Sequence, residues 1–271
     1  MSSNSKSYFN KALSGILWQY IGIAVQISSQ LIVVSILARI LNPNDFGLIG
    51  LALIFTQFSN LITEGGIGAY IIRTKNLNDN TKNAAFTLSM IVCCTVIIII
   101  YFISIIIAHY FKNDALVPIL RTLSISHLFT GYYSIIWSQH ERNLNFKFLA
   151  VVKIIAYLSS YGFIGVISAL NGCGVWSLVY SYLSHSIIRA SILFLKSNFK
   201  LSFNFNKQEI KNILGFSLGL TYSKIFGYAG TNIDKFIIGK IMGTYFLGIY
   251  NQSIQIAFLP ITYIGMVIVL I

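Results

Sequence analysis

Charge is the scarcest property of this sequence. Asp, Glu, Lys and Arg make up 10% of its 271 residues, where an ordinary soluble domain carries about 25%. That is too little to clothe a water-facing surface, and the amphipathic helices that a large soluble α-protein turns toward water are missing too. Acid is scarcest of all. Seven Asp and Glu are scattered along the chain, with no DxD-like pair, no nucleophile–base motif and no glycine-rich phosphate loop. No connection is long enough for an external loop that would present catalytic residues. These absences argue against an enzyme and give no reason to expect a cofactor. The three cysteines form no disulfide framework: Cys93 and Cys94 are neighbours inside an apolar run, and Cys173 stands alone in a short loop. The four histidines lack metal-ligand spacing, so no metal site is expected.

What fills the chain instead is apolar. Hydrophobic residues reach 56% and the mean hydropathy is +0.75. A helix of about 20 apolar residues crosses a hydrocarbon core of about 30 Å, and runs of that length recur throughout. Eight spans are expected, over 12–38, 46–72, 84–108, 115–139, 148–170, 174–196, 210–234 and 245–271. The first is too long for a signal-peptide core and no cleavage signature follows it, so it is expected to remain as a helix. The expected fold class is an all-α polytopic membrane protein with short connections.

The few charges are mostly basic, 19 Lys and Arg giving a net +12. No nucleic-acid-binding motif accompanies them. The N-terminus and alternate loops hold eleven of them: Lys6 and Lys11; Arg73, Lys75 and Lys82; Arg142 and Lys147; and Lys196, Lys200, Lys207 and Lys211. The other loops hold four, Arg39, Lys112, Lys235 and Lys240. Cytoplasmic loops carry the basic excess, which puts the N-terminus in the cytoplasm. An anionic substrate is the second expected source of basic residues.

The chain also resembles itself. Gly15 follows Lys11 by four residues, as Gly215 follows Lys211. The stretch Ile36-Leu-Ala-Arg-Ile-Leu-Asn-Pro-Asn-Asp-Phe-Gly47-Leu-Ile resembles Ile237-Ile-Gly-Lys-Ile-Met-Gly-Thr-Tyr-Phe-Leu-Gly248-Ile-Tyr. In both, an apolar helix ends in a basic residue, a polar step follows, and a glycine opens the next helix. The offset is 200 at the first match and 201 at the last. Such a period covers six helices, and an even number keeps orientation, so the repeat is parallel. The expected organisation is a six-helix N-terminal lobe, 1–205, followed at 206–271 by the first two helices of a second lobe. The sequence stops at Val269-Leu-Ile271, inside an apolar run, and the expectation is a longer protein cut short.

Ionisable groups within a bilayer cost roughly 2.5–3.5 kcal/mol on insertion scales, so they face a cavity or a partner. Polar stripes at helical spacing mark four helices. They are Gln19, Gln26 and Gln30; Gln57, Asn60 and Glu64; Arg121, Ser124, Tyr132 and Gln139; and Ser217, Thr221, Lys224, Tyr228, Thr231 and Lys235. For the glutamines and serines, hydrogen-bonded glue between helices competes evenly with a cavity role. Arg121, Lys224 and Glu64 are expected to line a cavity. Lys153 and Arg189 lie near cytoplasmic helix ends, where snorkelling accounts for them, though Lys153 remains a cavity candidate by position. The Gly65-Gly66-Ile67-Gly68 run after Glu64 is expected to bend or break its helix. The GxxxG matches Gly215–Gly219 and Gly239–Gly243 are expected to mark close helix packing.

Leu37-Ala-Arg-Ile-Leu-Asn-Pro-Asn-Asp-Phe-Gly-Leu-Ile-Gly50 followed by Glu64-Gly-Gly-Ile-Gly-Ala-Tyr-Ile-Ile-Arg73 resembles the opening of bacterial polysaccharide exporters of the Wzx type. These belong to the multidrug/oligosaccharidyl-lipid/polysaccharide exporter superfamily. Asn232-Ile-Asp-Lys-Phe-Ile-Ile-Gly-Lys-Ile-Met-Gly, then Leu-Gly-Ile-Tyr-Asn251, resembles the start of that family's second lobe. The resemblance implies two six-helix bundles around a cationic cavity in the bacterial cytoplasmic (inner) membrane. It implies transfer of undecaprenyl-pyrophosphate-linked repeat units between leaflets for O-antigen, capsule or exopolysaccharide, with membrane lipid and polysaccharide polymerase or export machinery as partners. Arg121, Lys153 and Lys224, with Gln26, Gln57 and Asn60, are the cavity candidates, and Glu64 or Asp234 the candidates for ion coupling. Family members often have Asp where Glu64 stands, so the charge is kept. The alternatives are a drug/cation antiporter of the same superfamily, which calls for more acids in the first lobe, and a membrane scaffold, which calls for no aqueous cavity.

Overall fold

A computed structural model of the chain describes residues 22, 24–197 and 202–268, with side chains as far as 258. Every regular element among them is helical. In order they are α1 (Ala24–Ile40), α2 (Pro43–Glu64), α3 (Ile67–Arg73), α4 (Asp79–Phe111), α5 (Leu116–Ser124), α6 (Ser126–Arg142), α7 (Phe146–Tyr157), a π-helical segment (Leu158–Gly165), α8 (Val166–Leu170), α9 (Val175–Lys196), α10 (Lys207–Ile241) and α11 (Gly243–Ile268). End to end they form eight rods over the expected spans: α2 continues into α3, α5 into α6, and α7 through the π segment into α8. Pro43–Arg73, Asp79–Phe111, Phe146–Leu170 and Val175–Lys196 are each long and apolar enough to cross a membrane. Only 28% of the apolar window of α4 is buried inside the protein. Its Ile98, Phe102, Ile105 and Ile106 are exposed, an apolar surface far too continuous for water. The chain is an all-α membrane protein.

The loops sort into two ends. At one end the Arg142 guanidinium donates to the carbonyls of Ile71 (2.8 Å), Thr74 and Lys75 (2.9 Å), tying the loop after α3 to the end of α6. There too the strand of chain before α10 lies on the start of α4, with Ser202 N–H donating to Asn83 Oδ1 (3.1 Å) and Asn204 N–H to Thr87 Oγ1 (2.8 Å). At the other end Thr244 donates to Asn44, and Lys240 donates to the Tyr110 carbonyl. Gly174 sits 3.5 Å from Asp45 when its missing Cβ is drawn in. The second, fourth and sixth connections therefore share one end, and the first, third, fifth and seventh share the other. The loops that share an end are those that the basic-residue count groups together. Part of that basic excess has structural work, since Arg142 is committed to carbonyls.

Local chemistry sets the rod ends and breaks. Pro43 occupies the first position of α2, where it gives up no helical bond, and the Asn42 N–H donates to Asp45 Oδ2 (3.1 Å). Asn78 and Asn206 cap α4 and α10 by accepting from Thr81 N–H (2.7 Å) and Gln208 N–H (3.0 Å). Gly65 (φ 40°) and Gly66 (φ 75°) both adopt left-handed backbone and break α2 from α3, as expected. A second break was not expected. The rod over 115–139 is interrupted at Ile125, where the hydroxyls of Ser124 and Ser126 turn back onto the carbonyls of Arg121 (2.7 Å) and Leu123 (2.6 Å). Side-chain bonds of this kind compete with the helical ladder. The π segment is marked by Ser160, whose hydroxyl donates to the carbonyl of Ala156 (2.6 Å).

The main core gathers Leu37, Leu51, Leu116, Ile119, Leu120, Leu123 and Leu247 from α1, α2, α5 and α11, all essentially inaccessible. Within it α2 packs closely on α11. A Cβ on Gly47 would run into the Thr244 carbonyl, and one on Gly248 into the Pro43 carbonyl. Shifting by 201 exchanges these two contacts, since Pro43 becomes Thr244 and Gly47 becomes Gly248. That reciprocity is what a two-fold relation produces. Of the GxxxG matches, Gly239 packs against Leu51 and Leu247, but Gly215, Gly219 and Gly243 have nothing within 4 Å of an added Cβ. Close packing explains only Gly239. Gly243, at φ 83°, instead separates α10 from α11.

Candidate functional site

A cavity of about 400 Å³ opens beside the α2–α3 break. Glu64 reaches it from the end of α2, Lys153 from α7, Arg189 from α9 and Lys224 from α10. α6 lays Tyr133, Trp137 and Glu141 along its wall, three residues on one helical face. The aromatic rings hold the cations. The Arg189 guanidinium lies 4.5 Å from the Tyr133 ring centre and 4.7 Å from that of Trp137, and the Lys153 ammonium lies 5.1 Å from Trp137. Ring faces attract cations in this way. Trp137 is itself fixed, its indole N–H donating to Glu141 Oε1 (2.8 Å). Glu64 lines the same cavity as Lys224 and Arg189. Yet none of the three cations is ion-paired with a carboxylate among the described residues, and Arg189 Nε is buried without a hydrogen-bond acceptor. Three cations face two carboxylates around open space, so the cavity carries a net positive charge. On α10 it lies at mid-helix: Lys224 is 17 residues from Lys207 and 17 from Ile241, about 26 Å from either end at 1.5 Å per residue.

A larger cavity of about 510 Å³ lies further along the same helices. Gln26 and Gln30 enter it from α1, Gln57 from α2, Tyr182 and His185 from α9, Asn232 and Lys235 from α10, and Asn251, Gln252 and Gln255 from α11. Tyr157 and Tyr161 stack at its wall, rings 5.1 Å apart and inclined by 20°. Asn60 sits between the two cavities and donates to the Tyr182 hydroxyl (3.1 Å), its own carbonyl oxygen buried without a donor. The polar stripe of α10 faces α2 along this length. Ser217 lies under Gly66, Tyr228 donates to the Ile54 carbonyl (2.8 Å), and Lys224 and Lys235 reach one cavity each.

The sequence candidates therefore divide. Glu64, Lys153 and Lys224 come together in the cationic cavity, and Gln26 and Gln57 meet in the larger one. Gln19 lies outside the described residues. Arg121 stands apart: its Nε donates to Ser104 Oγ (3.2 Å) and its guanidinium lies 3.9 Å from the Tyr101 ring centre. The break at Ile125 separates Arg121 and Ser124 from Tyr132, which packs on Phe86 and Phe194, so that stripe does not share one face. Asp234 accepts from the Tyr250 hydroxyl (2.6 Å) and lines neither cavity. Arg189 is the residue that sequence reasoning placed wrongly. It does not snorkel, because two α6 rings hold it inward. Ser134, Trp137, Ser138 and Glu141 were also missed, although their spacing of three, one and three residues is a helical face.

A polytopic helical membrane protein with a cationic cavity is thus defined, and similarity gives it a family. Residues 36–271 match the family described as polysaccharide biosynthesis protein, and the chain belongs to it. It is 23% identical to the lipopolysaccharide biosynthesis protein WzxC of Escherichia coli (strain K12), over 92% of this chain and 51% of that protein. It is 25% identical to the succinoglycan biosynthesis transport protein ExoT of Rhizobium meliloti (strain 1021), over 84% of this chain and 46% of the relative. It is 22% identical to the teichuronic acid biosynthesis protein TuaB of Bacillus subtilis (strain 168), over 97% and 54%. The chain spans about half the length of these curated relatives. No solved structure matches it.

Proposed function

We propose that this chain is the N-terminal lobe, residues 1–205, and the opening of the second lobe, residues 206–271, of a flippase. The flippase moves polyprenyl-pyrophosphate-linked oligosaccharide units across the bacterial cytoplasmic membrane for surface polysaccharide synthesis. The observation that carries the reading is the cavity in which Lys153, Arg189 and Lys224 outnumber Glu64 and Glu141, with none of the three ion-paired among the described residues. Unpaired cations in a membrane are costly unless an anion joins them, and a pyrophosphate supplies two to three negative charges at once. The relatives WzxC, ExoT and TuaB, named for lipopolysaccharide, succinoglycan and teichuronic acid biosynthesis and one of them for transport, support the same substrate class. The reciprocal Gly47–Thr244 and Gly248–Pro43 contacts support a second lobe related to the first by a two-fold axis along the membrane normal.

In this reading the N-terminus and the basic loops face the cytoplasm, so the cationic cavity is nearer the cytoplasmic side and the larger cavity lies deeper. The head group enters from the cytoplasm, the polyprenyl chain stays in lipid, and the lobes rock about the α2–α11 contact to open outward. The Gly65–Gly66 break lets α3 move with its loop while α2 holds the core. Membrane lipid and the polymerase or export machinery are the partners. A drug/cation antiporter fits less well, because cations outnumber carboxylates where the ligand would sit, and a scaffold has no use for such a cavity. The test is complementation of a bacterium lacking its own polysaccharide flippase by a family-length protein that includes this chain. Surface polysaccharide should return, and Lys224→Gln or Arg189→Gln should abolish it at unchanged protein level. Normal export by both variants would remove the cationic cavity from the mechanism.

A further inference from the structure

Arg121 belongs to neither cavity, and its place in the fold calls for a partner of its own. Arginine keeps its charge in any protein setting, and a charge within a bilayer faces a cavity, a counter-ion or the headgroups. Arg121 lies on the flank that α5 shares with α4. Its Nε donates to Ser104 Oγ (3.2 Å), and its guanidinium lies against the exposed ring of Tyr101, 3.9 Å from the ring centre. Those contacts fix the side chain and join the two helices, but they use one of five N–H donors. The four on the terminal nitrogens make no hydrogen bond among the described residues and are not closed off from outside. No carboxylate pairs with the guanidinium among the described residues; Asp114, the acid nearest in sequence, makes no ion pair with it.

The surroundings are those of a surface that faces lipid. Pro118 and Ile125, three residues before Arg121 and four after it, are exposed on its side of the rod, and Phe102 and Ile105 are exposed on α4. The level is that of the headgroup boundary. α4 has 33 residues, a rod of roughly 50 Å at 1.5 Å per residue, which overruns a hydrocarbon core of about 30 Å by about 10 Å at each end. Ser104 stands seven residues from the end of α4 at Phe111, and Arg121 five from the start of α5 at Leu116. The guanidinium therefore sits roughly 8–11 Å in from the rod ends, at the edge of the hydrocarbon, where lipid phosphates come closest. A tyrosine suits the same level, apolar in body and polar at its tip.

We propose that Arg121 and Tyr101 form a site for the phosphate of a membrane phospholipid, in the leaflet at the third connection, which is the outer leaflet in the orientation given above. The free end of the guanidinium presents two N–H groups side by side, the geometry that phosphate oxygens accept. The flank faces away from both cavities, so its occupant is a lipid of the surrounding membrane and not the transported molecule.

The test places the chain in nanodiscs of phosphatidylglycerol and digalactosyldiacylglycerol, a phosphate-free lipid, in equal parts and with the same acyl chains. Ile105→p-benzoylphenylalanine puts a photo-crosslinker at an exposed position beside Ser104, and the labelled lipid is identified by mass spectrometry. Phosphatidylglycerol is expected to be labelled in preference by about tenfold, the worth of a charge-assisted hydrogen bond or two. Adding Arg121→Gln should bring the preference close to one. Arg121→Lys, which keeps the charge and loses the fork, should leave part of it and guards against misfolding of the glutamine variant. Equal labelling of the two lipids beside the native Arg121, or a preference that Arg121→Gln leaves unchanged, overturns the site and leaves Arg121 as a tie between α4 and α5. Loss of the phosphatidylglycerol label on adding undecaprenyl pyrophosphate assigns the site to the carrier lipid and overturns the proposal. So does a crosslink from position 105 to another protein segment in the family-length protein.

Discussion

Neutralising an acid in the cationic cavity should strengthen its hold on a pyrophosphate. Glu64 shares the cavity with Lys153, Arg189, Lys224 and Glu141, so Glu64→Gln raises the local charge by one without changing shape. A cavity of about 400 Å³ keeps a phosphate at its centre within roughly 8 Å of each charged group, where one unit charge contributes ~2 kcal/mol at an effective dielectric of about 20. Glu64 and Lys224 are exposed to the cavity, and screening by water there reduces this to ~1 kcal/mol per phosphate charge. With two phosphate charges in reach, Glu64→Gln should then tighten undecaprenyl pyrophosphate about thirtyfold, Lys224→Gln should weaken it by a similar factor, and the double variant should return near wild type. Titration calorimetry in nanodiscs at two salt concentrations measures all four, and the differences should shrink at high salt. Weakening by Glu64→Gln as large as that by Lys224→Gln would refute the charge argument and make Glu64 a direct ligand. Binding that tightens while export in the family-length protein is lost would instead give Glu64 the ion-coupling role.

Three further perturbations probe the frame around the cavity. Arg142→Ala strips the donors from the carbonyls of Ile71, Thr74 and Lys75; a loss of ~2–4 kcal/mol is expected, read as a lower unfolding midpoint and faster proteolysis between residues 74 and 78. Arg142→Lys should rescue little, because one ammonium cannot span three carbonyls. Gly47→Ala drives a methyl group into the Thr244 carbonyl and should cost ~1–3 kcal/mol by overpacking, with weaker disulfide cross-linking between cysteines placed at 44 and 244; undiminished cross-linking would contradict the close α2–α11 contact. Trp137→Phe keeps a ring for Lys153 and Arg189 but frees Glu141, whereas Trp137→Leu removes the ring as well. Pyrophosphate binding should suffer more in the leucine variant, by ~0.5–2 kcal/mol, and equal effects would place the role in the indole N–H alone.

Much of this architecture is legible because a membrane span needs a long apolar run whatever its neighbours do. The eight rods, the break at Gly65–Gly66 and the grouping of the loops all follow from properties carried by the residues themselves. The break at Ile125 is not legible in the same way. Neither proline nor glycine marks it, and it depends on two serine hydroxyls choosing backbone carbonyls over other partners. Missing it changes the phase of everything beyond, which is why Arg121 seemed to share a face with Tyr132 and Gln139. Arg189 fails for another reason. Depth below a helix end predicts snorkelling only when nothing competes for the cation, and its competitors, Tyr133 and Trp137, lie more than fifty residues earlier on α6. Of the candidates chosen by residue type, Glu64, Lys153, Lys224, Gln26 and Gln57 reach cavities, because a polar side chain on an apolar rod has few other places to go.

The internal repeat separates what packing demands from what a ligand demands. At an offset of 201 the glycines Gly47 and Gly248 coincide, and each lies where a Cβ would strike the opposite backbone. One turn further the copies part company: Leu51 corresponds to Gln252 and Ile54 to Gln255. Leu51 is wholly buried against Gly239, while Gln252 and Gln255 line the larger cavity. Steric contact across a two-fold axis constrains both copies alike, since the same backbone approach occurs twice. A ligand breaks that equivalence, because one asymmetric molecule presents different groups to the two sides. In the proposed two-lobe protein, the positions where the copies differ while facing open space are therefore the ones expected to read the substrate, and the carboxamides of α11 are the first of them.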